Sequence, residues 1–341
     1  MNAKPAKLLA CAAGGICIAM LLVAALLSPK TNGRGVGAVA MSRASGFYDA
    51  PFDLELSFDG RIYYTLDSSD PDENAIPYEG PIHITDASVN PNVYAMITDV
   101  CLEYQPEQIA HSGKKPHFGF QLPEQPVDKC TVVRAVGIDG NGNRSDVTTG
   151  VYFVGFQEKT GYQGMGIISI TTDPENLFGF EKGIYVLGKT FADCLEDDGL
   201  YPVTKDDYVF WKSNYRKHGI DWEREANICC FDADRNLLFS GNYGVRIQGR
   251  VSRAFLPKSF NLFARSRYGS TAFSGMDLFG ENWQLGSLNL HSGAHAIVTK
   301  LNDYLINDLV RDLDIDTRIY RPFELFLDGE YWGGVLADTP V

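Results

Sequence analysis

The sequence predicts a mainly β protein: a β-sandwich over residues 46–155, followed by a mixed α+β domain over residues 156–341. Three observations carry this reading. Short runs alternate apolar and polar residues, which is the period of a half-buried strand. Turn pairs such as Asp59-Gly60 and Asp328-Gly329 punctuate them. Only one stretch has a convincing helical repeat, with Ile297, Leu301, Leu305, Leu309 and Leu313 each four apart and Tyr304 alongside.

The elements follow in order. Residues 8–27 carry no charge, and Lys4 and Lys7 precede them. A helix of about 20 such residues crosses a bilayer, and basic residues before it favour a cytoplasmic N-terminus. This predicts a signal anchor over residues 1–30, a single pass through the cell membrane with the body outside the cytoplasm. The alternative is a cleaved signal peptide and a secreted body. Ala38-Val39-Ala40 has the form of a cleavage site but lies far from the apolar run. Residues 31–45 are rich in Gly, Ala and Ser and read as a linker.

Residues 52–58 alternate as one strand, Asp59-Gly60 turns, and residues 62–66 form a second. Residues 82–84, 131–138 and 151–154 are further strands. Their self-contained series predicts that residues 46–154 fold alone. In the second half, strands are expected within 164–170, at 225–231 and at 244–249 with 258–265, the last two joined as a hairpin. Residues 323–327 and 331–336 flank Asp328-Gly329, the strongest local hairpin signal.

Net charge is −13, yet the first 40 residues hold four cations and no acid, so the remainder carries −17. An acidic body repels phosphate backbones and argues against nucleic-acid binding. Outside the apolar run stand Cys101, Cys130, Cys194, Cys229 and Cys230, with no C-x-x-C spacing, which argues against a zinc ribbon. Cys101 and Cys130 either pair or sit as small buried hydrophobes. Asp67, Asp70, Asp72 and Glu73 lack the ligand order of a calcium loop and read as a solvated turn. Asp312, Asp314 and Asp316 read the same way, and His111 and His117 as loop residues. No metal site is expected. The residues that concentrate chemistry are Gly249, Ser252, Arg253 and Lys258. Glycine lets backbone N–H groups approach an anion, arginine grips phosphate through a planar fork, and lysine offers a compact charge.

Two resemblances extend this reading. Ser45-Gly46-Phe47-Tyr48, the run Ile62-Tyr63-Tyr64-Thr65-Leu66-Asp67-Ser68-Ser69-Asp70-Pro71, and Tyr78-Glu79-Gly80-Pro81-Ile82 resemble the chitobiase/β-hexosaminidase C-terminal module, an immunoglobulin-like accessory domain. A long insertion at 86–128 departs from it. From about residue 165 onward the chain resembles the CotH (spore coat protein H-type) kinase family. The resemblance rests on Asp173-Pro174-Glu175-Asn176-Leu177-Phe178, Gly183-Ile184-Tyr185-Val186, Trp222-Glu223-Arg224-Glu225-Ala226 and Val245-Arg246-Ile247-Gln248-Gly249. It also rests on Ser252-Arg253, Pro257-Lys258-Ser259-Phe260 and Phe326-Leu327-Asp328-Gly329-Glu330-Tyr331-Trp332-Gly333.

That resemblance implies a kinase-like α+β fold, ATP with Mg or Mn as cofactors, and surface or coat proteins as substrates or docking partners. It implies that Lys258 contacts nucleotide phosphates under a loop formed by Gly249, Ser252 and Arg253. The sequence departs from the family at Arg250, where another Gly or Asn is usual. It departs again at Leu290-His291-Ser292-Gly293-Ala294-His295, where a Gly/Asn/Asp-rich segment is usual. The catalytic and metal-holding Asp residues of the family match no position before Val341. The expectation is therefore a CotH-like domain that is catalytically incomplete as it stands, with its catalytic residues unassigned. The alternatives are a non-catalytic surface, coat or cell-wall assembly protein, and a carbohydrate-binding protein using Tyr63, Tyr64 and Trp332.

Overall fold

The computed structural model describes residues 36–101, 121–196, 199, 212–273, 284–293 and 301–338. The apolar run at 8–27, His111, His117, Ala294, His295, Ile297 and the last three residues lie outside the described residues. Among the described residues no helix is long and apolar enough to cross a membrane.

The N-terminal module contains β1 (Ala40–Met41), β2 (Gly46–Tyr48), β3 (Phe52–Leu54), β4 (Leu56–Ser57), β5 (Arg61–Thr65), β6 (Ile76–Pro77), β7 (Ile82–Ile84), β8 (Thr131–Ile138) and β9 (Thr148–Val154). A five-stranded sheet runs β2-β9-β8-β5-β6, and the pairs β1-β4 and β3-β7 form two ribbons. Leu54, Leu56, Ile82 and Ile84 of the ribbons pack on Ile62, Val133, Ala135, Tyr152 and Val154 of the sheet.

Two expectations change here. The alternating run at 52–58 is split into β3 and β4, which pair with different partners. Asp59-Gly60 therefore leads from one layer to the other instead of closing a hairpin. Alternation reports which residues face inward and cannot say where a strand changes sheets. The stretch read as a linker supplies β1, and its Val39 is buried. Backbone pairing needs no strand-like side chains, so composition hid it.

The second domain is a closed barrel. It contains β10 (Gly166–Thr171), β11 (Arg224–Phe231), β12 (Leu237–Gln248), β13 (Ser259–Phe263), β14 (Ser287–His291), β15 (Tyr320–Leu327) and β16 (Glu330–Asp338). The order is β10-β11-β12-β13-β14-β16-β15, closed by the parallel pair β10-β15. Ile168, Ile170, Ala226, Ile228, Cys230, Val245, Ile247, Phe260 and Leu325 fill the interior. Asp328 and Gly329 both take positive φ, the conformation that a tight two-residue hairpin requires, and join β15 to β16. Among the described residues, three short α-helices accompany the barrel: α1 (Pro174–Leu177), α2 (Gly188–Ala192) and α3 (Asn302–Leu309). Of the repeat, only Leu305 and Leu309 fall within α3; Leu301 precedes it and Leu313 lies beyond its end, and no residue of α3 is buried. Helical periodicity marks an apolar stripe without guaranteeing that the chain covers it.

The two units are not separate bodies on a string. Seam-facing residues of β8 and β9 meet the outer face of the barrel in one apolar core containing Cys130, Val132, Val151, Phe153, Ile167, Cys229, Phe231 and Phe326. Phe153 lies 5.1 Å from Phe326 and 4.5 Å from Phe47, ring centre to ring centre. Backbone bonds cross the seam from Cys130 N–H to the Gly329 carbonyl and from Tyr331 N–H to the Asp128 carbonyl, each 2.9 Å. The Glu330 carboxylate accepts the Val93 and Ala95 N–H groups, both at 2.7 Å. Val100, from the insertion at 86–128, is buried in the barrel-side core. The Leu187 N–H donates to the Asp99 carbonyl at 2.7 Å, and the Gly188 N–H to its carboxylate at 3.1 Å.

Candidate functional site

The hairpin β12-β13 holds its strands in register from Gly244 opposite Phe263 to Gln248 opposite Ser259, and its loop brings all four expected residues together. Gly249 has φ +106°, and a Cβ there would lie 2.1 Å from the Ser252 hydroxyl, so only glycine fits. The Arg253 Nε donates back to the Gly249 carbonyl at 2.6 Å. Its Nη1 donates to the Lys217 carbonyl at 2.7 Å. The Lys258 Nζ donates to the Arg253 carbonyl at 2.7 Å. The loop is thus folded down on the lysine, and its arginine is bound to backbone oxygens.

Lys258 is fully buried, an unusual place for an ammonium group. Among the described residues no carboxylate pairs with it. Its amine sits 3.8 Å from the centre of the Tyr215 ring and 5.4 Å from that of Tyr185, so two aromatic faces supply part of the solvation it has lost. Burial pulls its pKa down to about 7, and the nearby Cys101 thiol opposes this electrostatically. The Lys258 backbone N–H donates to the Tyr185 hydroxyl at 2.9 Å, and the Trp332 indole donates to the same oxygen at 2.7 Å. Burial raises both tyrosine phenols well above their ordinary range, so they stay neutral.

Sequence reasoning placed Lys258 and its loop but missed the cage. Tyr215 comes from a stretch to which neither the strand pattern nor the quoted motifs give a role. Tyr185 was noted in a motif without a role. Trp332, considered for sugar binding, is half-buried and packs on Phe178 and Tyr185. Tyr64 packs on Tyr78. Cys101 and Cys130 are both buried, and the Cys130 thiol points at the Gly329 carbonyl instead of at another sulfur.

The acidic turn is held by its own bonds: Asp67 accepts from the Ser69 N–H and hydroxyl, and Asp72 from the Asn74 N–H. Asp70 pairs with Arg134 at 2.5 Å. Asp312, Asp314 and Asp316 are exposed. Among the described residues no group of three His, Cys, Asp or Glu side chains forms a metal site. No residue here is assigned to Mg or Mn.

Fold and site together define a mainly β protein of two joined modules, in which a barrel hairpin closes over a buried lysine. Residues 245–335 match the family described as CotH kinase protein, and residues 52–152 match the one described as Fn3 associated. Over residues 245–335 the chain is therefore similar to the CotH family, and an associated module is matched before it. The whole β12-β13 hairpin from Val245, with Lys258, and the Asp328-Gly329 turn fall inside the CotH match. No curated protein matches the chain.

Proposed function

We propose that the chain holds the phosphate groups of a nucleotide at Lys258, as the phosphate-binding part of a kinase-like domain. One observation supports this above the others: a fully buried lysine, its amine bonded to the Arg253 carbonyl and to no described carboxylate, lies under a glycine-hinged loop. The amine has three hydrogens and gives one to the Arg253 carbonyl. An incoming phosphate oxygen would displace that carbonyl and supply the missing negative charge through a charge-assisted hydrogen bond. ATP would add the polyphosphate. The residues here would bind and orient it while Tyr185 and Tyr215 keep water from the amine. The associated module, an immunoglobulin-like accessory in this reading, would brace the barrel.

ATP should bind the purified chain, and Lys258→Met should weaken it about tenfold or more, the loss expected for one charged contact. Calorimetric titration measures this. Equal affinities in the two proteins would sink the proposal.

We also infer that the body lies outside the cytoplasm, anchored through residues 8–27, or secreted. The uncharged run behind Lys4 and Lys7 supports it. Protease added to intact cells should digest the body. Protection until lysis would overturn this topology.

A further inference from the structure

The outer face of the barrel holds a second charged cluster that the Lys258 site does not use. At its centre is Glu223, whose side chain is 0% exposed. It lies against Gly244, where a Cβ would be only 2.4 Å from the carboxylate. Arg265 grips it with both ends of a fork, Nε to Oε1 at 2.8 Å and Nη2 to Oε2 at 3.0 Å. Arg267 adds Nη2 to Oε1 at 2.6 Å, and the Tyr268 hydroxyl donates to the same oxygen at 3.1 Å. Arg246 stands 3.6 Å away through its Nε. The guanidinium groups of Arg246 and Arg265 both lie over the Phe263 ring, 4.0 and 4.8 Å from its centre.

One arginine fork already satisfies both oxygens of Glu223 and neutralises it. Arg246 and Arg267 are therefore surplus for holding the carboxylate. Three guanidiniums on one carboxylate leave a local charge of about +2, on a chain whose net charge is −13. Their mutual repulsion is a cost that Glu223 alone does not offset. Yet they are held in place: Glu223 anchors their inner edges and Phe263 backs two of the planes. Their side chains are 25%, 37% and 46% exposed for Arg246, Arg265 and Arg267. Among the described residues, the Nη1 and Nη2 groups of Arg246, the Nη1 of Arg265 and the Nε and Nη1 of Arg267 have no hydrogen-bond partner. A preset surface with several unused N–H groups and a charge of about +2 suits an anion with several oxygens and two negative charges. A carboxylate supplies half that charge, whereas a phosphate monoester carries between about −1.5 and −2 near neutral pH and three acceptor oxygens.

We propose that Arg246, Arg265 and Arg267, anchored on Glu223, form a binding site for a phosphate monoester group. The site is built from residues other than Lys258 and its loop, so it stands or falls separately from the nucleotide reading.

The test is calorimetric titration of the full chain in a neutral detergent at low salt, with O-phosphoserine, inorganic phosphate and serine as probes. Phosphoserine should bind saturably and serine should not. The double variant Arg246→Gln with Arg267→Gln should weaken phosphoserine about tenfold or more, while Lys258→Met leaves it unchanged. The double variant keeps the Arg265 fork, and its melting curve checks the fold. Should that variant fail to fold, the single variants Arg246→Gln and Arg267→Gln provide the second reading, since each keeps the Arg265 fork on Glu223 and should weaken phosphoserine several-fold. Tighter binding of phosphoserine than of phosphate would point to an ester-bearing partner, and the reverse to free phosphate. The proposal is overturned if the wild type binds neither phosphate probe, if the arginine substitutions change nothing, or if Lys258→Met abolishes the binding.

Discussion

Replacing Phe153 with alanine should lower the stability of the whole protein by about 3–5 kcal/mol, the usual cost of emptying a buried aromatic position. Phe153 belongs to β9 of the N-terminal module, but most of its aromatic neighbours lie beyond that module. Phe231 and Phe326 come from the barrel, and Phe156 from the connection, with ring centres at 5.9, 5.1 and 5.0 Å. The cavity would therefore open between two folded units and weaken both. Melting followed by calorimetry should show one transition that moves down as a whole. Leu54→Ala, inside the module's own core, should shift the same transition. Two separate transitions, only one of which responds, would show that the seam does not couple the units. The same geometry bears on the expectation that residues 46–154 fold alone. That fragment would expose Phe47, Val132, Val151 and Phe153 on one face, a patch of the kind that drives association.

Much of this arrangement was legible in the sequence because it is local. The β8 run from Thr131 to Ile138, the β12-β13 hairpin and the Asp328-Gly329 turn each declare themselves within a dozen residues. Barrel closure does not. It rests on Gly166 to Ile170 pairing in parallel with Phe323 to Leu327, strands far apart in the chain that share no turn. The seam was hidden for a related reason. Val132 and Phe153 look like ordinary core residues of a sandwich, and alternation cannot reveal that their side of the sheet is covered by another domain. At the site, Gly249, Ser252, Arg253 and Lys258 stood out because they are close in sequence and unlike their acidic surroundings. Tyr215 and Tyr185 lie 43 and 73 positions before the lysine they enclose, and nothing local marks either as its neighbour.

The burial of Lys258 has a consequence for stability that can be read without any ligand. Its pKa falls from 10.5 to about 7 in the folded chain, chiefly through desolvation. Below pH 7 the amine is protonated in both the folded and unfolded states, and the folded chain bears the full cost of burying a charge. Between about pH 7 and 10.5 the unfolded chain keeps a proton that the folded chain has released. The state that binds more protons loses ground as pH rises, so this residue makes the fold more stable with increasing pH across that window. At about 1.4 kcal/mol per pKa unit, the full climb is on the order of 5 kcal/mol. Lys258→Met fills similar space without the charge and should lack the climb. It should exceed the wild type in stability most clearly near pH 6, with the gap closing toward pH 10. Urea unfolding of both proteins at half-unit steps of pH measures this difference, in which the other titrating groups largely cancel. A gap that stays flat from pH 6 to pH 10 would mean that Lys258 keeps an ordinary, solvated ammonium group, and the closed cage under the Gly249 loop would then be the wrong description of the site.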